Sequence, residues 1–380
     1  MMDRSDDVTN LKAALLAWYA EQRRLLPWRA KPGKLPDPYA VLVSEAMLQQ
    51  TQVATVVGYF QRFMKCWPTV DDLAAADEQD VLHLWQGLGY YRRARHLHRA
   101  AQVIVKEHGG QPPDDVASLL KLPGVGAYTA GAIASIGFGK AEPLVDGNVV
   151  RVLARWFGME GGIDNAAGKK RFWDAARRMV EVDPDASPPP RGSASGLGFT
   201  AGDWNQAVME LGALVCTPRA PRCDDCPVAK WCTAKRQGRV DELPTPRVRA
   251  RQTPVVHRVA ALQRDGRWLM RQRGDDGLWA GLWELATEER EASDKPTSCG
   301  LRAWVHDQTG LEAGPMKLAG TFEHMTTHRR IRFEIWVARV QGGRLRRGAG
   351  RWCTLNQAVD LAMSNPQRQA LKLLDEKHRR

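Results

Sequence analysis

The chain has 380 residues, enough for two or three domains with complete cores. Its 55 Lys and Arg against 43 Asp and Glu give a net charge of +12, a balance suited to a partner that carries phosphates. No apolar stretch approaches the length of a membrane span, and the first residues, MMDRSDDVTN, have no apolar leader core; a cytoplasmic protein with no membrane contact is expected.

Seven cysteines are few for a disulfide-stapled scaffold of this size, and four of them crowd between Cys216 and Cys232. That favours a metal or cluster site. The solitary Cys66, Cys299 and Cys353 read as buried packing residues.

An all-α domain is expected over residues 8 to about 235. Leu11, Leu15, Leu16, Trp18 and Tyr19 form an apolar helical face that stops near Pro27, and Pro27-Trp28-Arg29 follows. Asp37 then caps a helix that has Pro38 at its first position. In that helix Val41, Leu42, Ala46 and Leu48 leave Glu45 on or near the buried side. Burial disfavours the charged form of a glutamate. An ordinary one is about 0.2% protonated at pH 7, and each unit of upward shift multiplies that fraction about tenfold. A general acid needs such a shift; a solvated surface glutamate is the alternative. Gln49-Gln50-Thr51 interrupts the helix, with Thr51 expected to cap the next, Gln52 to Phe63. Amides at this bend suit reading a base or filling the gap left by a displaced one, or a plain turn. Further on, WQGLGYYRRAR from Trp85 sets two tyrosines among three arginines, fitting an opened duplex stack or an ordinary basic helix start.

Two apolar helical runs, over about 118–140, flank the turn Leu122-Pro123-Gly124-Val125-Gly126. A helix beginning there aims free N–H groups outward, and such a start attracts phosphate. Some twenty residues later Asp146 precedes another helical run, either as a working acid or as an N-cap. Residues 183–203 are rich in Pro, Gly and Ser and read as an irregular insertion with no assigned function. A helix resumes over Trp204 to Val215 and contains Glu210. Cys216, Cys223, Cys226 and Cys232 then follow as C-x6-C-x2-C-x5-C, a spacing able to close around an Fe–S cluster or zinc.

Together LPGVGAYTA, the Asp146-Gly147-Asn148 turn, SEAMLQQTQV and the four-cysteine loop resemble the helix-hairpin-helix DNA glycosylases that carry an Fe–S cluster. Within that superfamily PWR, SEAMLQQTQVATV, WQGLGYYRRAR and NQAVMELGALVC resemble adenine DNA glycosylases of the MutY type, which excise adenine mispaired with 8-oxoguanine. The resemblance implies one [4Fe-4S] cluster on the four cysteines, no catalytic metal, and a monomer acting on double-stranded DNA that contains adenine opposite 8-oxoguanine or guanine. It makes Glu45 the acid that protonates adenine and Asp146 the carboxylate that stabilises the sugar cation. Tyr128 and Asn148 line the same pocket, and Trp28, Arg29 and Glu210 contact the extruded base. Leu48, Gln49, Gln50, Thr51 and Tyr90 meet the duplex around the lesion, and Leu122, Gly124, Val125 and Gly126 form the DNA-binding hairpin. Bond cleavage leaves negative charge on the base and positive charge on the sugar, so one protonated and one ionised carboxyl are wanted. Glycosylase/lyases of the endonuclease III type carry a nucleophilic lysine where this chain has Tyr128, so base removal without strand cleavage is expected.

Residues 236–254 read as a linker, and 255–380 as an α+β domain. Arg264-Asp265-Gly266 signals a hairpin, Ile331, Phe333, Ile335 and Val337 alternate with Arg332, Glu334 and Trp336 as in a half-buried strand, and helices are expected over Leu301 to Gln308 and Pro366 to Leu374. The segment GLWAGLWEL from Gly277 resembles a Nudix fold. An active Nudix hydrolase needs several carboxylates on one helix; here Trp304 and Gln308 replace two of them and only Asp307 remains, too little hard oxygen for a metal pair. The resemblance therefore implies a recognition module for 8-oxoguanine, reading it through a loop at Phe322-Glu323-His324. For Glu323 a plain surface hairpin tip is the alternative.

Overall fold

The computed structural model describes residues 5–181, 198–245, 252–292 and 298–378. In chain order the helices are α1 (Ser5–Gln22), α2 (Pro38–Leu48), α3 (Val53–Cys66), α4 (Val70–Ala75), α5 (Glu78–Leu84), α6 (Arg92–His108), α7 (Val116–Leu119), α8 (Ala127–Ala132), α9 (Gly147–Phe157), α10 (Ala166–Val180), α11 (Ala201–Leu214), α12 (Thr233–Arg236), α13 (Ser298–Thr309), α14 (Leu355–Val359) and α15 (Asn365–His378). Among the described residues seven strands lie between Thr253 and Cys353: β1 (Thr253–Arg264), β2 (Arg267–Gln272), β3 (Trp283–Glu291), β4 (Leu311–Ala313), β5 (Lys317–Met325), β6 (Arg329–Gly343) and β7 (Arg351–Cys353). No helix among the described residues is long and apolar enough to cross a membrane.

The chain divides into two compact units. One comprises Met1–Ala75 and His96–Arg247, the other Ala76–Arg95 and Val248–Arg380. Residues 76–95, expected within the helical domain, thus belong by their packing to the second unit. The reason is side-chain chemistry: Tyr91 Oη and Gln86 Nε2 donate to the carbonyl of Met363 at 2.9 and 3.3 Å, and Arg95 pairs with Asp275 at 2.7 Å.

In the helical unit, Asp37 accepts from the Tyr39 amide at 2.9 Å, and Pro38 opens α2 as expected. α2 is buried on all sides from Val41 to Met47, so Glu45 has no water-facing alternative. The bend after it differs from expectation. α3 is capped by the backbone at Gln52, while the Thr51 hydroxyl turns back toward the Gln49 carbonyl. α11 starts at Ala201 rather than Trp204, because Thr200 and Asp203 form a reciprocal capping box. The expected insertion otherwise falls on 182–197, outside the described residues. Helices approach closely where side chains vanish: a Cβ on Gly131 would lie 2.1 Å from the Pro143 carbonyl oxygen, and one on Gly212 2.7 Å from Cβ of Asn148. Residues 237–245, expected as linker, pack instead on α9: buried Leu243 offers its carbonyl to Arg155 at 3.0 Å. The rest of that linker, 246–251, lies outside the described residues. Of the solitary cysteines only Cys353 is buried; Cys66, the last residue of α3, and Cys299, in the first turn of α13, are exposed.

The second unit is a mixed sheet in the order β4-β6-β1-β3-β2-β7, with β5 also on β6 and β1 parallel to β6. Asp265 and Gly266 both take positive φ, 50° and 71°, as a tight two-residue hairpin demands. β6 is buried on both faces rather than one. Ile331, Phe333 and Ile335 enter a core closed by α14 and α15, while Trp336 meets a second core under α13. Glu334 is 3% exposed and its buried charge is answered by Arg332 at 2.9 Å.

Candidate active site and cluster loop

Three elements of the helical unit bring the expected acids together. Glu45 projects from α2, 6% exposed, and its Oε2 has no hydrogen-bond partner. Burial pushes its carboxyl up to about 7, the neighbouring Tyr128 phenol opposes this, the field of Asp146 adds to it, and Arg29 works against it. The same two acids, after burial, hold the Tyr128 phenol well above its usual range. Glu45, Tyr128 and Asp146 therefore act on one another directly, although 101 residues separate the acids in sequence. The Tyr128 hydroxyl donates to Met209 Sδ at 3.5 Å.

Asp146 caps α9, and its field reaches Glu45. Its Oδ1 accepts from the Val149 amide at 2.7 Å and its Oδ2 from Asn148 Nδ2 at 3.0 Å. Burial raises its carboxyl above the ordinary range, and these donors, with Arg151, restrain the rise. A carboxylate with both oxygens accepting is held in its ionised form. Arg151 extends the chain of contacts: its guanidinium donates to Asn148 Oδ1 at 2.7 Å, to the Gly212 carbonyl at 2.7 Å and to the Cys216 carbonyl at 2.6 Å.

Beside this group, Trp28 is 7% exposed and meets Phe60 edge-on at 5.2 Å. Glu210, on α11 and 0% exposed, is occupied by guanidinium groups: Arg24 binds it through Nε and Nη2 at 2.9 and 2.8 Å, and Arg29 through Nη2 at 2.9 Å. Burial alone would raise its carboxyl, but the two arginines overcome this and hold it at about 2. Arg24 was not singled out in the sequence, where the only signal was its place just before Pro27-Trp28-Arg29.

The hairpin turn sits between α7 and α8, with Leu122 and Val125 buried and Gly124 and Gly126 exposed. Gly124 has φ 78°, and a Cβ there would lie 2.6 Å from Cβ of His96. Gly126 begins α8 without a side-chain cap, leaving amides free to meet an anion. At the α2–α3 bend, Leu48 and Gln49 are half-buried and Gln50 is exposed with φ 57°.

Cys216, Cys223, Cys226 and Cys232 line one cavity with Arg155, Arg222 and Lys235. The four thiols surround this shared space, and an all-sulfur donor set suits an iron-sulfur cluster. Burial pushes the Cys226 thiol up to about 12, so its thiolate needs adjacent positive charge. Arg155, 2% exposed, donates to the neighbouring Cys216 Sγ at 3.3 Å.

In the second unit, Tyr90 has φ 49°, stacks its ring near the Arg93 guanidinium at 5.5 Å, and shares a 2.8 Å hydrogen bond with Thr327 Oγ1. Phe322-Glu323-His324 does not form the expected loop. These residues lie within β5: Phe322 stacks on Phe333 at 5.0 Å, and Glu323 is held by Arg330 at 2.9 Å across the β5–β6 pair. The loop at the tip of that hairpin is Thr326-Thr327-His328. Alternation put aromatic Phe322 inward, which is why it joins the core.

Three family models match the chain: the HhH-GPD superfamily base excision DNA repair protein over residues 43–178, the iron-sulfur binding domain of endonuclease III over 216–232, and the NUDIX domain over 258–373. The adenine DNA glycosylase of Rattus norvegicus is 35% identical over 98% of this chain and 79% of its own length. That of Homo sapiens is 35% identical over 88% and 68%, and that of Mycobacterium tuberculosis 42% identical over 59% and 67%. A solved thermostable thymine-DNA glycosylase is 28% identical, with a TM-score of 0.50, over 61% of this chain and 98% of its own. With its paired acids, its hairpin and its iron-sulfur loop, the chain belongs to the adenine DNA glycosylase family.

Proposed function

We propose that this protein hydrolyses the N-glycosidic bond of adenine opposite 8-oxoguanine, or guanine, in duplex DNA and leaves an abasic site. The observation that carries the reading is a glutamic acid titrating at about 7 within the field of a hydrogen-bonded aspartate. Glu45 delivers the proton that lets adenine depart neutral. Asp146 stabilises the sugar cation, and water completes the cleavage. Asn148 keeps Asp146 charged, and Tyr128 provides no amine for a Schiff base, so the DNA strand stays intact.

Trp28, Arg24 and Arg29 frame the extruded adenine, with Glu210 fixing both arginines. The hairpin Leu122–Gly126 holds a phosphate, and Leu48, Gln49, Gln50 and Thr51 meet the opened stack, while Tyr90 gives the second unit a DNA contact of its own; flipping costs a few kcal/mol and is cheapest at a mispair. Phe322, Glu323 and His324 on β5, with the adjoining tip Thr326–His328 that is tied to Tyr90, read the oxidised base. Cys216, Cys223, Cys226 and Cys232 would hold one [4Fe-4S] cluster, which when bound supplies a cross-link through the loop. The protein works as a monomer and needs no catalytic metal.

Single-turnover excision on duplexes pairing adenine with 8-oxoguanine, adenine with guanine, and thymine glycol with adenine tests this. Adenine release in the order first over second, and none from the third, is expected. Base loss with borohydride-trapped enzyme on the third would replace it with a lyase.

A further inference from the structure

One end of the second unit's sheet concentrates cations. Arg264 and Arg267 flank the Asp265-Gly266 turn, Arg271 follows on β2, and Arg344, Arg346 and Arg347 crowd the segment after β6. Two are pinned: Arg264 donates to the carbonyls of Gly342 and Gly343 at 3.3 Å, and Arg346 donates to the Asp307 carbonyl at the end of α13. Flat aromatic surface lies beneath the others' neighbours, with Arg264 5.4 Å from the Trp352 ring and Arg271 5.7 Å from that of Trp304. Arg267, Arg344 and Arg347 are exposed.

Among the described residues none of the six pairs with a carboxylate side chain. Glu284, opposite Arg271 across β2 and β3, is taken by Arg273 at 2.8 Å. The acids nearby, Asp265, Asp307 and Glu312, are outnumbered. A helix that would need carboxylates to bind phosphate through metal ions carries Trp304 in their place, under a guanidinium. Arginine meets phosphate directly, and guanidinium groups laid over tryptophan rings are held ready for it.

We propose that this arginine–tryptophan end is a second docking surface for the phosphate backbone of duplex DNA, separate from the Thr326–His328 tip. Thr253 pairs with Arg329 beside the tip, and the cluster begins at Arg264, the far end of β1. Eleven residue steps at ~3.3 Å put ~36 Å between them, about ten base pairs of duplex at ~3.4 Å each. Contacts so far apart touch different parts of a duplex, so the surface grips DNA that flanks the lesion. The inference rests on the reading proposed above, that duplex DNA is the partner and that the Thr326–His328 tip sits at the lesion.

The test is equilibrium binding of the full-length protein to lesion-centred duplexes of about 30 and about 10 base pairs across a salt series. Arg344→Gln with Arg347→Gln is compared with Arg368→Gln with Lys372→Gln, an equal loss of exposed charge on α15. On the long duplex the first variant should bind severalfold more weakly, and the slope of log affinity on log salt should fall by up to ~1.8, about 0.9 per lost phosphate contact. On the short one it should match wild type, and its single-turnover rate at saturation should be unchanged. Slopes equal to the control variant's, as for a surface that serves an acidic protein instead, would overturn the proposal. So would an equal loss on the short duplex.

Discussion

Glu45→Gln is expected to do two opposite things at once. Raised from 4.5 to about 7, the carboxyl is about half protonated at pH 7, against about 0.3% for an ordinary glutamate, a gain of about 150-fold in the competent acid. That gain is set against stability. A group whose folded value lies above its unfolded one contributes nothing unfavourable below the unfolded value, and destabilises the fold progressively as pH rises through the folded one. The difference amounts to ~3 kcal/mol at pH 7 and above. The neutral amide removes it. Urea unfolding should therefore show Glu45→Gln level with wild type near pH 4 and more stable by ~3 kcal/mol at pH 7, while single-turnover excision is abolished and lesion binding survives. The wild-type rate should fall tenfold per unit above about pH 8. A stability difference that does not vary from pH 5 to 9 would refute the buried-acid argument, and a flat rate profile would remove Glu45 from proton delivery.

Glu210→Gln should show the reverse dependence. Its value is lowered from 4.5 to about 2, so its contribution is present above about pH 4.5 and lost as pH falls toward 2; allowing for the partial exposure of Arg24, ~2 kcal/mol should vanish from urea stability at pH 7 and nothing at pH 2. Arg151→Gln should lower excision roughly ten- to a hundredfold with iron content and DNA affinity retained, since it orients Asn148 without touching substrate. Cys226→Ser should lose iron, measured by elemental analysis. A double-mutant cycle of Tyr90→Phe and Thr327→Val on discrimination between 8-oxoguanine and guanine should show ~0.5–1 kcal/mol of coupling; independence would detach the tip from the wedge.

Local rules carried what they could. Asp37-Pro38 and Asp265-Gly266 announce a cap and a turn because a single side chain or φ sign decides each. Glu45 was legible because apolar neighbours surround it in sequence as well as in space. Arg24 and Arg151 were not: Arg24 lies 186 residues from Glu210, and Arg151 gains its meaning from carbonyls 61 and 65 residues away. Residues 76–95 read as helical-domain matter, and only the Met363 carbonyl and Asp275 assign them elsewhere. Phe322-Glu323-His324 looked like a loop by motif, yet alternation with Phe333 across the pair fixes it as strand.

The 2.7 Å clearance between Gly212 and Asn148 has a bearing on how inherited or laboratory variation in such a protein is judged. An alanine at 212 is a conservative change on paper, on a helix, in a residue that no reactant touches. Its methyl group would nonetheless shove aside the amide that steadies Asp146, so a well-folded, DNA-binding protein would come out inert, and a survey confined to the reacting side chains would pass it as harmless.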